Sequence, residues 1–167
     1  MSLEILLKTC KILKTQLNEN GKTVNIKPQR NETISFFAID NEKKAPSCTI
    51  RQSLHYSGQI CDLIVIMGSN DNPQKIVCLV ELKGSNVLKA ANQIECTFEV
   101  LNRYLHENRI TENCIIWRAY ILRSGSSPIR HNQAQNLLIP IFTKKGFKIS
   151  RTNNNDDLGQ FIRSSSF

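Results

Sequence analysis

The sequence predicts an α/β domain, a mixed central sheet flanked by helices, and three observations carry that expectation. Two apolar runs, CDLIVIM from Cys61 and IVCLVELKG from Ile76, are joined by the polar loop Gly68 to Lys75 and read as a hairpin. Both of its faces are apolar, as expected of strands buried in the middle of a sheet. The stretch after it places Val87, Ala91, Ile94, Phe98, Leu101 and Leu105 on one stripe, the best helix in the chain. A third apolar run, Cys114 to Leu122, follows that helix and supplies a further strand.

Taken in order, the chain opens with Leu3, Leu6, Cys10, Leu13 and Leu17 at alternating spacings of three and four, which predicts a helix from Ser2 to about Asn18. Asn20 to Arg30 is polar, contains Pro28 and reads as a connection. Asn31-Glu32-Thr33 then opens ISFFAIDNEKK, a short helix-compatible segment that Ala45-Pro46 breaks. Cys48 to Tyr56 reads as a strand, Gly58 separates it from the hairpin, and the three strands form a meander. Ser85 is placed to cap the long helix. After Cys114 to Leu122 come a loop at Ser124 to Pro128, an amphipathic stretch from His131 to Thr143 interrupted by Pro140, a strand near Phe147 to Arg151, and a last helical turn from Leu158 to Arg163.

A chain of 167 residues with 40% hydrophobic and 22% charged residues suits one domain, spanning 1–167, with a real core. The 22 Lys and Arg against 14 Asp and Glu leave a net charge of +8, which favours anionic partners such as nucleic acid. No two of the six cysteines lie within ten residues of each other, so the close pairs of zinc sites are absent, and structural thiols in a reducing compartment are expected. The N-terminus has no signal-peptide pattern and no apolar run reaches membrane-spanning length, so a cytoplasmic protein without a membrane partner is expected.

The hairpin also carries the charged residues of interest. Facing positions in an antiparallel pair have a constant sum. The loop centre at 71.5 is also the midpoint of 62 and 81, so a symmetric hairpin sets Asp62 across from Glu81, with Cβ atoms roughly 5 Å apart. Alternation puts Lys83 on the face of Glu81. Ionised groups at the end of a buried strand are costly unless paired, hydrogen-bonded or bound to metal. One reading pairs Lys83 with an acid at the sheet margin. The other resolves the repulsion of two carboxylates with a hard, oxygen-preferring cation, Mg²⁺ or Mn²⁺, which activates water and polarises a phosphoryl oxygen while Lys83 assists the attacking water.

Asp62, an apolar strand and loop of 18 residues, then Glu81-Leu82-Lys83 resembles the PD-(D/E)xK nuclease superfamily, which includes restriction endonucleases and Holliday junction resolvases. Glu81-Leu82-Lys83-Gly84 with Gln93 ten residues after the lysine is similar to its replication-repair branch. The resemblance covers roughly Asn31 to Leu122. It implies a restriction endonuclease-like core of helix, three-strand meander, helix and strand, with an N-terminal helix and a C-terminal extension. It also implies Asp62 and Glu81 as metal ligands, Lys83 as the catalytic lysine, and metal-dependent hydrolysis of DNA. Cys61 stands where the motif has proline. Many members add an acid on the helix before the first strand, which makes Glu32 the candidate here ahead of Glu4, and Gln93 is a further candidate for the site. Lys89, Arg118, Arg123, Arg130, Lys144, Lys145 and Lys148 are candidates for phosphate contacts. Trp117 reads as core, and His55 and Tyr56 as packing residues. Cutting both strands of a duplex at this size would need a homodimer. The alternative is a catalytically inactive subunit of the same fold that binds nucleic acid or a partner.

Overall fold

A computed structural model describes residues 2–19, 21–40, 43–70, 72–83, 86–110, 114–123, 129–151 and 156–164. Helix α1 (Leu3–Leu7) runs into a 3₁₀ turn (Lys8–Cys10) and strand β1 (Lys11–Ile12). Strands β2 (Gln16–Glu19) and β3 (Lys22–Asn25), strand β4 (Glu32–Ala38) and the short helix α2 (Ile50–Ser53) follow. Then come β5 (Leu63–Ser69), β6 (Asn72–Lys83), helix α3 (Val87–Glu107), β7 (Ile115–Arg123), helix α4 (Ile129–Phe142), β8 (Phe147–Ser150) and helix α5 (Asp157–Arg163). Six strands form one mixed sheet in the order β1-β4-β5-β6-β7-β8, and β2 and β3 form a separate ribbon. The pairs β1/β4, β4/β5 and β5/β6 are antiparallel, whereas β6/β7 and β7/β8 are parallel. The α/β architecture with helices flanking a mixed sheet is therefore as the sequence predicts.

The sheet has an apolar core on each face. Ile64, Ile66, Val77, Leu79, Ala119 and Ile121 point to one side, where α3 and α4 supply Val87, Ile94, Leu101 and Leu138, and α1 supplies Leu3, Leu6 and Leu7. Leu63, Val65, Cys78, Val80, Tyr120 and Leu122 point to the other, covered by Leu17 and Val24 of the ribbon and by Leu158, Phe161 and Ile162 of α5. Strand alternation thus divides one apolar run between two cores. Trp117, half-buried, packs edge-on against Phe98, ring centroids 5.2 Å apart, at the margin of the core under α3 and α4.

The hairpin register is as the sequence arithmetic predicts: Leu63 faces Val80, Val65 faces Cys78, and every pair down to Gly68 and Lys75 keeps the same sum. The strands run on past the expected loop to Ser69 and Asn72, with a register shift at Gly68/Ser69. The α3 stripe, β7, α4 with Pro140 inside it, β8 and α5 also lie where expected. Asn86 caps α3, its side chain accepting from the Lys89 N–H at 3.1 Å, and Ser85 lies outside the described residues.

Four expectations for the N-terminal third are corrected. The helix from Ser2 ends at Leu7, because Lys11 and Ile12 pair with Phe37 and Phe36 at the sheet edge; Leu13 is exposed and Leu17 enters the far core. The connection expected at Asn20 to Arg30 contains strand β3, which pairs with β2 from Glu19↔Lys22 onward, with Gly21 at φ +71° before it. Glu32 to Ala38 is a strand: Phe36 and Ala38 reach one core and Phe37 the other, and a run rich in β-branched and aromatic residues favours that. Cys48 to Tyr56 holds helix α2 instead of a strand, so the meander is β4, β5 and β6. That helix closes as a Schellman motif, the Tyr56 N–H donating to Arg51 O at 2.9 Å and the His55 N–H to Gln52 O at 3.1 Å, with His55 at φ +47°.

Cys10 and Cys48 are joined in a disulfide, which overturns the expectation that all six cysteines are thiols. Among the described residues no helix is long and apolar enough to cross a membrane.

Candidate functional site

Asp62 sits one step before the first paired residue of β5, and Glu81 lies two residues from the end of the longest strand, β6. The two carboxylates are interlocked through the backbone. The Asp62 N–H donates to Glu81 Oε2 at 3.1 Å, and the Leu82 N–H donates to Asp62 Oδ2 at 2.6 Å. Glu81 is fully buried and Asp62 is 5% exposed. A buried carboxylate is tolerated when it accepts such bonds. Burial, followed by the negative charges of Glu81 and Asp62, pushes the neighbouring Cys61 thiol well up, so Cys61 is a packed neutral group.

The segment that delivers Asp62 is clasped by α3. Gln93 Nε2 donates to Ile60 O at 2.9 Å, and Thr97 Oγ1 accepts from the Cys61 N–H at 2.8 Å while donating to Gln93 O at 2.6 Å. Gln93 is 4% exposed, and its Oε1 has no hydrogen-bond partner among the described residues. Thr97 has no place in the motif, and its role arises only when α3 docks on the hairpin.

Lys83 is the last residue of β6, opposite Arg123 in the parallel register with β7; its side chain, like all of Gly84, lies outside what is described. The structure thus brings together Asp62 and Glu81, with Lys83 two residues further along β6 and Gln93 bonded to the backbone two residues before Asp62. It does not bring Glu32 to them. Glu32 opens β4 opposite Ser69, at the far end of the strand pair from Ala38 and Leu63, roughly 20 Å along the strands. There it receives a fork from Arg163, with both contacts at 2.9 Å. Glu4, the lesser candidate, pairs with Lys75.

The cations expected to hold phosphate are dispersed. Arg118 is buried on the opposite face of β7 and donates to Lys145 O at 2.9 Å. Lys148 pairs with Asp157, and Lys144 and Lys145 are exposed in the turn after α4. Arg123 is buried beside Lys83, and the side chain of Arg130 lies outside the described residues. Lys89, one turn before Gln93 on α3, lines an open cleft of about 1070 Å³. Arg51, His55, Tyr56 and Gln93 line it too, with Asp40 held 2.7 Å from Arg51.

Among the described residues no three His, Cys, Asp or Glu side chains gather as a metal-binding group. Two oxygen-donor carboxylates are the usual protein share of a Mg²⁺ site that also takes water and substrate phosphate. Asp62 and Glu81 are the residues that would hold such an ion. No protein-family model matches the chain, and no curated protein matches it either.

Proposed function

We propose that the chain is a metal-dependent DNA endonuclease, with Asp62 and Glu81 holding Mg²⁺ or Mn²⁺ and Lys83 assisting the attacking water. The observation that carries this reading is the interlocked acid pair, with Asp62 bonded to Glu81 and to Leu82 beside the strand where the sheet changes from antiparallel to parallel. Reciprocal backbone bonds fix both carboxylates before any ligand arrives, as electrostatic preorganisation requires. A bound divalent ion supplies Lewis acidity and lowers the pKa of water. Asp62 and Glu81 orient and neutralise it, and Lys83 at the strand end orients the nucleophile or offsets charge at phosphorus. The meander β4-β5-β6 followed by α3 and the parallel strand β7 supports the finer assignment, a restriction endonuclease-like core. A homodimer would let two such sites cut both strands of a duplex.

The test is cleavage of single-stranded, duplex and branched DNA by purified protein with Mg²⁺ and with Mn²⁺. Cleavage that falls at least 100-fold in Lys83→Ala and Asp62→Asn is expected. Mn²⁺ binding by calorimetry should vanish in Glu81→Ala. Absence of cleavage on all three DNA forms with both ions would overturn the enzymatic reading. The full burial of Glu81 favours one second reading, an inactive subunit in which the acid pair is structural, and there Mn²⁺ would not bind.

A further inference from the structure

We infer that the excursion between β4 and β5 is a clamp for a single-stranded DNA segment, seated in the cleft between that excursion and the first turns of α3. This rests on the nuclease reading of the neighbouring acid pair and names the form of substrate the site takes. Antiparallel neighbours are normally joined by about 2–5 residues. Ala38 and Leu63 face each other across β4 and β5, yet residues 39–62 run between them. So long a detour orders a large amount of backbone, and loops of that length in a compact domain usually have a task.

The detour is held at three places. The disulfide Cys10–Cys48 ties it to the N-terminal turn, Thr49 N–H bonds Thr9 Oγ1 at 3.1 Å, and Gln93 and Thr97 fix residues 60 and 61. Between those ties it carries Arg51, His55 and Tyr56 into the cleft wall, and it ends on Asp62. Gln93, which lines the cleft, bonds the backbone two residues before Asp62, so the cleft wall and the acid pair share this strut.

The chemistry of the wall selects an unpaired strand. Arg51 and Lys89 against Asp40 leave one net positive charge, and Arg51 is fixed in place by its bonds to Asp40 and to the Gly58 carbonyl. The Tyr56 side chain lies close over Gly58, where any Cβ would meet its hydroxyl at 2.2 Å and its ring at 2.4 Å. A cation with an aromatic ring in a concave wall grips single strands by phosphate contact and base stacking, and only unpaired bases offer a free face to stack. His55 occupies a left-handed position that glycine would fill with less strain.

The experiment is fluorescence anisotropy of the full chain with a labelled 12-mer of deoxythymidylate and with a 12-base-pair duplex, both in EDTA so that no cleavage intervenes. Binding to the single strand at least fivefold tighter than to the duplex is expected. Lys89→Glu, an exposed change, should weaken it at least fivefold, and His55→Gly should weaken it while raising the melting temperature. Equal affinity for strand and duplex, or unchanged affinity in both variants, would overturn the inference. Asp62→Asn separates the two proposals, since it should bind the single strand like the parent and cut nothing. Strand binding without cleavage in the parent protein sinks the nuclease reading and leaves the clamp standing; cleavage without strand preference does the reverse.

Discussion

Asp62 is tied into the protein twice over, as an acid and as a hydrogen-bond acceptor, and substitutions can separate the two roles. Asp62→Ala removes the acceptor from the buried Leu82 N–H and should cost about 1–3 kcal/mol. Asp62→Asn keeps an oxygen there and should unfold within about 1 kcal/mol of the parent, while abolishing Mn²⁺-dependent cleavage. Thermal denaturation beside a cleavage assay reads both outcomes. The facing of Asp62 and Glu81 was legible in the sequence because it depends only on loop centre and alternation, which are local. Thr97 and His55 were not legible. The first matters through a bond to Cys61 across the α3 interface, and the second through a backbone angle that no side-chain pattern encodes. Glu32 was misplaced for a related reason: its candidacy assumed a helix, and in a strand the same residue number falls at the opposite end of the sheet.

Among the elements, the excursion from β4 to β5 depends on a covalent tie that spacing alone did not reveal, since Cys10 and Cys48 are 38 residues apart. Closing a loop of that length restricts the unfolded chain by about 4 kcal/mol in the chain-entropy model. Cys48→Ser should therefore lower the unfolding free energy by about 2–4 kcal/mol in urea. Dithiothreitol should bring the parent to the same value and leave the variant unchanged. Strands β5, β6 and β7 were readable as bounded apolar runs, and α3 as a long stretch of one helical period. The N-terminal third was not, because Leu3, Leu6 and Cys10 set up a helical period that sheet pairing at Lys11 and Ile12 overrides. Tertiary pairing outweighs propensity differences of a few tenths of a kcal/mol per residue.

Across the whole molecule, Arg163 binds the last helix to the start of β4. It reaches Glu32 with two contacts, Asp156 at 2.7 Å and the Lys27 carbonyl at 2.7 Å. The Arg163 bonds hold the Glu32 carboxyl below its usual range, so the clamp stabilises the fold above the ordinary glutamate pKa and weakens as pH falls through the lowered value. Glu32→Gln should cost about 1–3 kcal/mol at neutral pH, with parent and variant converging in urea titrations at acid pH. The mixed sheet and its flanking helices were legible as a class, because strands apolar on both faces require cover on both. Which elements give that cover was not, since the β2–β3 ribbon and α5 meet over one face from opposite ends of the chain. That arrangement sets an order of events during translation. The face under α3 and α4 draws its cover from residues 3–142, whereas the other awaits Leu158, Phe161 and Ile162. A nascent chain paused after α4 would present Val65, Cys78, Val80 and Leu122 without their final cover, a greasy half-sheet suited to chaperone capture until the last helix emerges.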